Sequence, residues 1–135
     1  MSEPDATPKL TAAGLVEQAR AEIEHVSTEE ARRLLVDDGW LFVDVREREE
    51  LAAGRIPGAV HATRGNLEFY LDPESAFHMP ELAAGRTLIF VCGSGGRGAL
   101  ATKLARAFGL DAVCLTGGMR AWIAAGAPTD RDAAP

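Results

Sequence analysis

The chain has 135 residues, 47% hydrophobic and 25% charged, which is the composition of one soluble globular domain large enough to bury its own core. Its net charge of -6 argues against nucleic acid as a partner for the surface as a whole, although backbone N–H groups can still bind a small anion locally. Two cysteines make no disulfide scaffold, the acidic start Met1-Ser2-Glu3-Pro4-Asp5 lacks the basic and apolar parts of a signal peptide, and no apolar run approaches the roughly 20 residues of a membrane span. The expected protein is therefore cytoplasmic, with reduced thiols and no membrane contact.

In chain order, residues 1–9 are polar and Pro-containing and read as a loose tail. Leu15, Ala19 and Ile23 recur at helical spacing and predict a helix from Leu10 to about His25. Ser27 with Glu30 forms a capping box, and the helix behind it turns Ala31, Leu34 and Leu35 inward and ends near Asp38-Gly39. Trp40 to Val45 is apolar without alternation, which predicts a strand covered on both faces, as in a parallel sheet. A short helix over Glu47–Ala53 stops at Gly54, and Ala59-Val60-His61 is extended. Asn66–Tyr70 is helical, residues 72–80 form a loop, and Glu81–Ala84 makes a short helix. Thr87 to Val91 is a second buried strand. Beyond the next loop a helix opens at Ala99, with an apolar stripe of Leu100, Leu104 and Phe108 and with Ala101 and Ala105 beside it, closing at Gly109. Ala112–Leu115 is another buried strand, Gly117-Gly118 a turn, and Met119–Ala125 a last helix. Strands alternating with helices define an α/β fold with a mostly parallel sheet, in which ligands bind at the carboxyl ends of the strands. Asp44, Arg46 and Cys92 fall there.

Between the second strand and the helix at Ala99 lies Cys92-Gly93-Ser94-Gly95-Gly96-Arg97-Gly98. A cysteine between a strand end and a helix start meets unpaired N–H groups and the positive end of the helix dipole. Both favour the thiolate, which is the nucleophilic form. Gly93, Gly95 and Gly96 allow successive N–H groups to converge on one anion. Ser94 is either a hydroxyl donor to that anion or a solvent-facing spacer. Arg97 serves either a carboxylate within the fold or a substrate oxyanion. Asp44 reads as a structural acceptor, and Arg46 either pairs with an acid or lines the pocket. Arg64 and Glu68, four apart, share a helical face if that segment is helical, the spacing of a solvated ion pair. Cys114, mid-strand, reads as core, as do Trp40 and Trp122. His61 and His78 have no metal-ligand spacing, so no zinc site is expected.

Four marks in order carry a family resemblance: Val43-Asp44-Val45-Arg46, then Gly54-Arg55-Ile56-Pro57-Gly58-Ala59, then Cys92 to Arg97, then Gly117-Gly118-Met119-Arg120-Ala121-Trp122 with Gly126-Ala127-Pro128. The chain resembles single-domain rhodaneses over about residues 27–128. Arg64 to Phe69, with Asp72-Pro73 and His78, is similar to a bacterial single-domain subgroup, and that resemblance makes Arg64 a candidate for steering an anionic donor, the alternative being the solvated ion pair with Glu68. The resemblance implies a three-layer sandwich with a mostly parallel central sheet of about five strands and helices on both faces. It implies a domain at 27–128, with an N-terminal tail and helix over 1–26 and a C-terminal tail over 129–135. It also implies a sulfurtransferase that moves sulfane sulfur from thiosulfate or a persulfide donor to a thiol or cyanide through a persulfide on Cys92, in the cradle Gly93, Ser94, Gly95, Gly96, Arg97 and Gly98, without a cofactor. The partners implied are a small anionic donor and a thiol acceptor, with a protein persulfide or a thioredoxin-like protein as further choices. Two positions depart from the family: Arg55 stands where histidine is common, and Gly98 where serine is common, which removes a hydroxyl near the helix start. The resemblance also admits a non-catalytic sulfur-carrying or regulatory binding module, a role in which rhodanese-like domains often lack the cysteine retained here. Cys-loop phosphatases and arsenate reductases place five residues between cysteine and arginine; here four intervene, a smaller cradle suited to sulfur.

Overall fold

A computed structural model describes residues 10–131. The expectation of a loose tail at 1–9, and the end of the 129–135 tail, lie outside the described residues. Five strands form one sheet in the order β1-β5-β4-β2-β3, and every pairing is parallel. They are β1 (His25–Val26), β2 (Trp40–Asp44), β3 (Val60–His61), β4 (Thr87–Val91) and β5 (Ala112–Leu115). The helices are α1 (Ala12–Glu22), α2 (Thr28–Leu34), α3 (Arg48–Leu51), α4 (Leu67–Leu71), α5 (Gly96–Ala107) and α6 (Gly118–Ala124), with 3-10 turns at Arg64–Asn66 and Pro80–Ala83.

Alternation along the two central strands sorts the core. Leu41, Val43, Leu88 and Phe90 face Leu67 and Leu71 of α4 and Ala101 and Ala105 of α5. Phe42, Ile89 and Val91 face Ala31 of α2 and Met119 and Trp122 of α6. Helices thus cover both faces, which is why β2 and β4 read as unbroken apolar runs. Trp122 meets Phe42 edge to face at 5.8 Å, and its indole N–H donates to Pro128 O at 2.7 Å.

Several expected elements differ. β1 was not among the predicted strands: two residues carry no period, and the pairing of His25 with Cys114 and of Val26 with Leu115 is what makes them a strand. α1 is accordingly shorter than Leu10–His25; Thr11 caps it by accepting from Gly14 N–H at 2.9 Å. Its packing face is Ala19, with Val16 and Ile23, against Ala99, Leu100 and Cys114, while Leu15 is exposed. The Ser27–Glu30 capping box of α2 is present. α5 opens at Gly96, three residues earlier than Ala99. Its fully buried residues are the small ones, Gly98, Ala99, Ala101, Thr102 and Ala105; Leu100 and Leu104 are half-buried and Phe108 is exposed. The helix lies so near the sheet that only short side chains fit beneath it, and the leucines pack at its flanks.

Candidate functional site: the cysteine loop

β4 carries Cys92 one residue beyond its end, and Val45 N–H ties the end of β2 to Val91 O at 2.9 Å. The Cys92 side chain lies on the α5 side of the sheet and is 1% exposed. At Gly95 the backbone takes φ +112°, a conformation that only glycine adopts without strain, and this turn starts α5. It brings the Gly95 N–H to 2.8 Å from Cys92 Sγ. Among the described residues this is the N–H that reaches the sulfur. Behind the loop, the first turn of α6 clamps the other side of the backbone: Met119 N–H donates to Cys92 O at 2.8 Å and Arg120 N–H to Gly93 O at 2.9 Å. The approach is close enough that a Cβ at Gly118 would stand 2.3 Å from Cys92 O, so only glycine fits.

The structure brings Arg97 to a carboxylate of the fold. Its Nη1 and Nη2 reach the two oxygens of Glu50 at 2.7 and 2.9 Å. Glu50 also accepts from Glu47 N–H at 2.7 Å. The paired guanidinium holds the Glu50 carboxyl down at about 2, against partial burial that pushes it up; the Glu47 N–H and the nearby Arg46 charge assist. Arg97 is raised in turn by its hydrogen bond to Glu50. The pair lies across the start of the loop, with Arg97 Nη2 3.3 Å from where a Cβ at Gly93 would stand.

Asp44 and Arg46 form a second pair, almost wholly buried. Arg46 Nε and Nη2 donate to the two Asp44 oxygens at 3.0 and 2.9 Å, and Arg46 N–H donates to Oδ1 at 3.0 Å. The same guanidinium donates to Glu50 O at 3.2 Å and Gly54 O at 2.9 Å. His61 Nε2 lies 2.7 Å from Arg46 O, so that nitrogen carries the proton. Asp44 and Arg46 therefore fasten α3, and with it Glu50, to the end of β2. Arg64 pairs with Glu68 at 3.0 Å as a half-exposed ion pair, and its buried Nε has no partner.

On the opposite flank lies a cleft of about 380 Å³, lined by Arg20, His25, Ser94, Gly95, Cys114, Leu115, Thr116 and Gly117. Arg20 Nη2 stands 3.5 Å from where a Cβ at Gly95 would be. Sequence reasoning missed both Glu50 and Arg20. Glu50 lies 47 residues from its partner, and Arg20 is one polar residue of an amphipathic helix; the packing of that helix on α5 and the pairing of β1 with β5 set its end beside the loop. Beneath the loop, Gly98 separates the two cysteines. A Cβ there would stand 3.4 Å from Cys114 Sγ and 3.6 Å from Cys92 Sγ. Burial pushes the Cys114 thiol up to about 11, with the Cys92 charge adding to the rise and Thr102 and Arg20 opposing it. Cys114 is packed with Ala19 and Ala99, as a core residue is. Among the described residues no cluster of His, Cys, Asp and Glu could hold a metal ion, and no helix is long and apolar enough to cross a membrane.

The structure thus sets a cysteine loop at the carboxyl end of the central strand of a parallel five-stranded sheet that lies between two helical layers. The family model described as the rhodanese-like domain matches residues 27–125. The chain belongs to the rhodanese-like domain family. It is 39% identical over 105 residues to the human thiosulfate:glutathione sulfurtransferase, covering 73% of this chain and 91% of that protein. The Saccharomyces cerevisiae protein of the same name is 33% identical over 112 residues, covering 77% and 81%. A solved structure from Rhodopseudomonas palustris, a protein of unknown function described as a possible tyrosine phosphatase, is similar with a TM-score of 0.87 and 33% identity, over 96% of this chain and all of that one.

Proposed function

We propose that this protein is a sulfurtransferase that takes sulfane sulfur from a small anionic donor such as thiosulfate and passes it to a thiol, with glutathione as the acceptor its relatives' names suggest. The observation that carries the reading is the 2.8 Å contact from Gly95 N–H to Cys92 Sγ, in a loop that spaces cysteine and arginine by four residues. In the first step the Cys92 thiolate attacks the outer sulfur of thiosulfate. A new S–S bond forms, the old one breaks, and sulfite leaves with the electron pair. In the second step an acceptor thiolate attacks the outer sulfur of the Cys92 persulfide, yielding the acceptor's persulfide and the Cys92 thiolate. Gly95 N–H is a fixed donor for the sulfur anion present before and after transfer. Burial of Cys92 shields that anion from bulk water. The Arg97–Glu50 pair fixes the start of the loop.

The test is mass spectrometry after thiosulfate treatment, coupled to sulfite release with glutathione present. One added sulfur atom at Cys92, and loss of at least about a thousandfold in turnover for Cys92→Ser, are expected. Turnover retained by Cys92→Ser would refute the mechanism. Hydrolysis of an aryl phosphate faster than thiosulfate turnover would favour the phosphatase description given to the Rhodopseudomonas relative.

A further inference from the structure

The cations expected near the sulfur are already engaged. Arg97 holds Glu50, Arg46 holds Asp44, and Arg64 holds Glu68. Arg20 has no carboxylate or hydrogen-bond partner for its guanidinium among the described residues, yet it lies beside Gly95, whose N–H contacts Cys92 Sγ. It lines a cleft together with His25, Ser94 and Thr116, and with Gly95 and Leu115. His25 Nε2 is 3.1 Å from Arg20 O, so this nitrogen is spent on the backbone and Nδ1 is left for other contacts. The wall belongs to α1 and β1, which precede the span matched by the family model. In a chain of net charge -6, an unpaired guanidinium at the edge of a cleft is a local site for a negatively charged group.

We infer that the cleft between α1–β1 and the cysteine loop is the acceptor subsite, in which Arg20 binds a carboxylate of a carboxylate-bearing thiol such as glutathione. A planar guanidinium offers such a carboxylate paired donors, and about 380 Å³ accommodates a small peptide thiol in part. The acceptor lies against Ser94 and Gly95, with its thiol directed over the loop to the outer sulfur on Cys92. Arg20 is a specificity residue in this arrangement, since it selects among acceptors and takes no part in bond exchange.

The inference rests on the sulfurtransferase reading, and its test separates the two. Transfer from saturating thiosulfate is measured to glutathione and to 2-mercaptoethanol, which has a thiol but no carboxylate. Arg20→Ala is expected to lower the ratio of kcat/KM for glutathione over 2-mercaptoethanol about threefold to tenfold, with Arg20→Lys recovering part of it and Arg20→Glu falling below Arg20→Ala. A ratio that stays at the wild-type value in all three variants overturns the inference. A second measurement needs no turnover: S-methylglutathione is titrated into Cys92→Ser protein and followed by NMR. Shifts at His25, Thr116 and Gly117 that weaken with Arg20→Ala support the subsite. Shifts confined to other surfaces, or none, overturn it. If the wild-type protein loads no sulfur onto Cys92, the sulfurtransferase reading fails, while the titration still decides whether the cleft binds the carboxylate ligand.

Discussion

On the Gly93 side of the cysteine loop, Arg97 and Arg46 each grip a carboxylate with two nitrogens; on the Gly95 side, Arg20 grips none among the described residues. Both guanidiniums flank the loop closely: a Cβ at Gly93 would stand 3.3 Å from Arg97 Nη2, and one at Gly95 would stand 3.5 Å from Arg20 Nη2. They differ in what they have left to offer. A paired guanidinium fixes geometry and has spent its donors. An unpaired one contributes little to the fold and keeps its donors for a ligand. Stability and selectivity are thus assigned to opposite flanks of one short loop.

That contrast can be broken from either side. The largest effect is expected for Asp44→Ala, which strands the buried Arg46 charge and loosens α3: a loss of about 3–5 kcal/mol, read as a fall in Tm of roughly 10 °C or more. Retention of wild-type Tm would show that the buried pair is not what holds this flank. Glu50→Gln should cost less, about 1 kcal/mol or under, because the pair with Arg97 is more than a third exposed. Its pH dependence has a definite sign. The Glu50 carboxyl is lower in the folded protein, about 2, than its ordinary 4.5. The pair therefore stabilises fully above about pH 4.5, and its contribution is lost as pH falls toward 2. Denaturant melts of wild type and Glu50→Gln should differ at pH 6 and converge at about pH 2; a constant gap would remove Glu50 as the cause. The smallest effect on stability is expected for Arg20→Ala, within about 0.5 kcal/mol, although acceptor choice changes. A large drop in Tm there would make the Gly95 flank structural too.

Much of this frame was legible in the chain itself. β2, β4 and β5 are apolar runs bounded by turn residues, and the Ser27–Glu30 box announces α2 by local chemistry alone. The cysteine at a strand end before a glycine-rich helix start marked the candidate site. What stayed hidden depends on contacts distant in sequence. β1 exists because β5 offers it an edge. The face of α5 is chosen by how closely the helix lies on the sheet, so alanines and Thr102 win over Leu104 and Phe108. The partner of Arg97 could have been any of the chain's carboxylates until α3 was fastened beside the loop. Gly98 also gains a reason that sequence alone withheld, since the space a side chain would take is bounded by both cysteine sulfurs.

The clamp of α6 on the loop has a geometric consequence. In a trans peptide the C=O and the following N–H point in opposite directions across one rigid plane. Holding Cys92 O and Gly93 O toward Met119 and Arg120 therefore turns the N–H groups of Gly93 and Ser94 away from α6. A helix on the far side of the backbone, which need never touch a substrate, sets the polarity of two successive loop peptides. Gly118 is the hinge of that mould, and any side chain there would rotate the planes without altering a single residue of the loop.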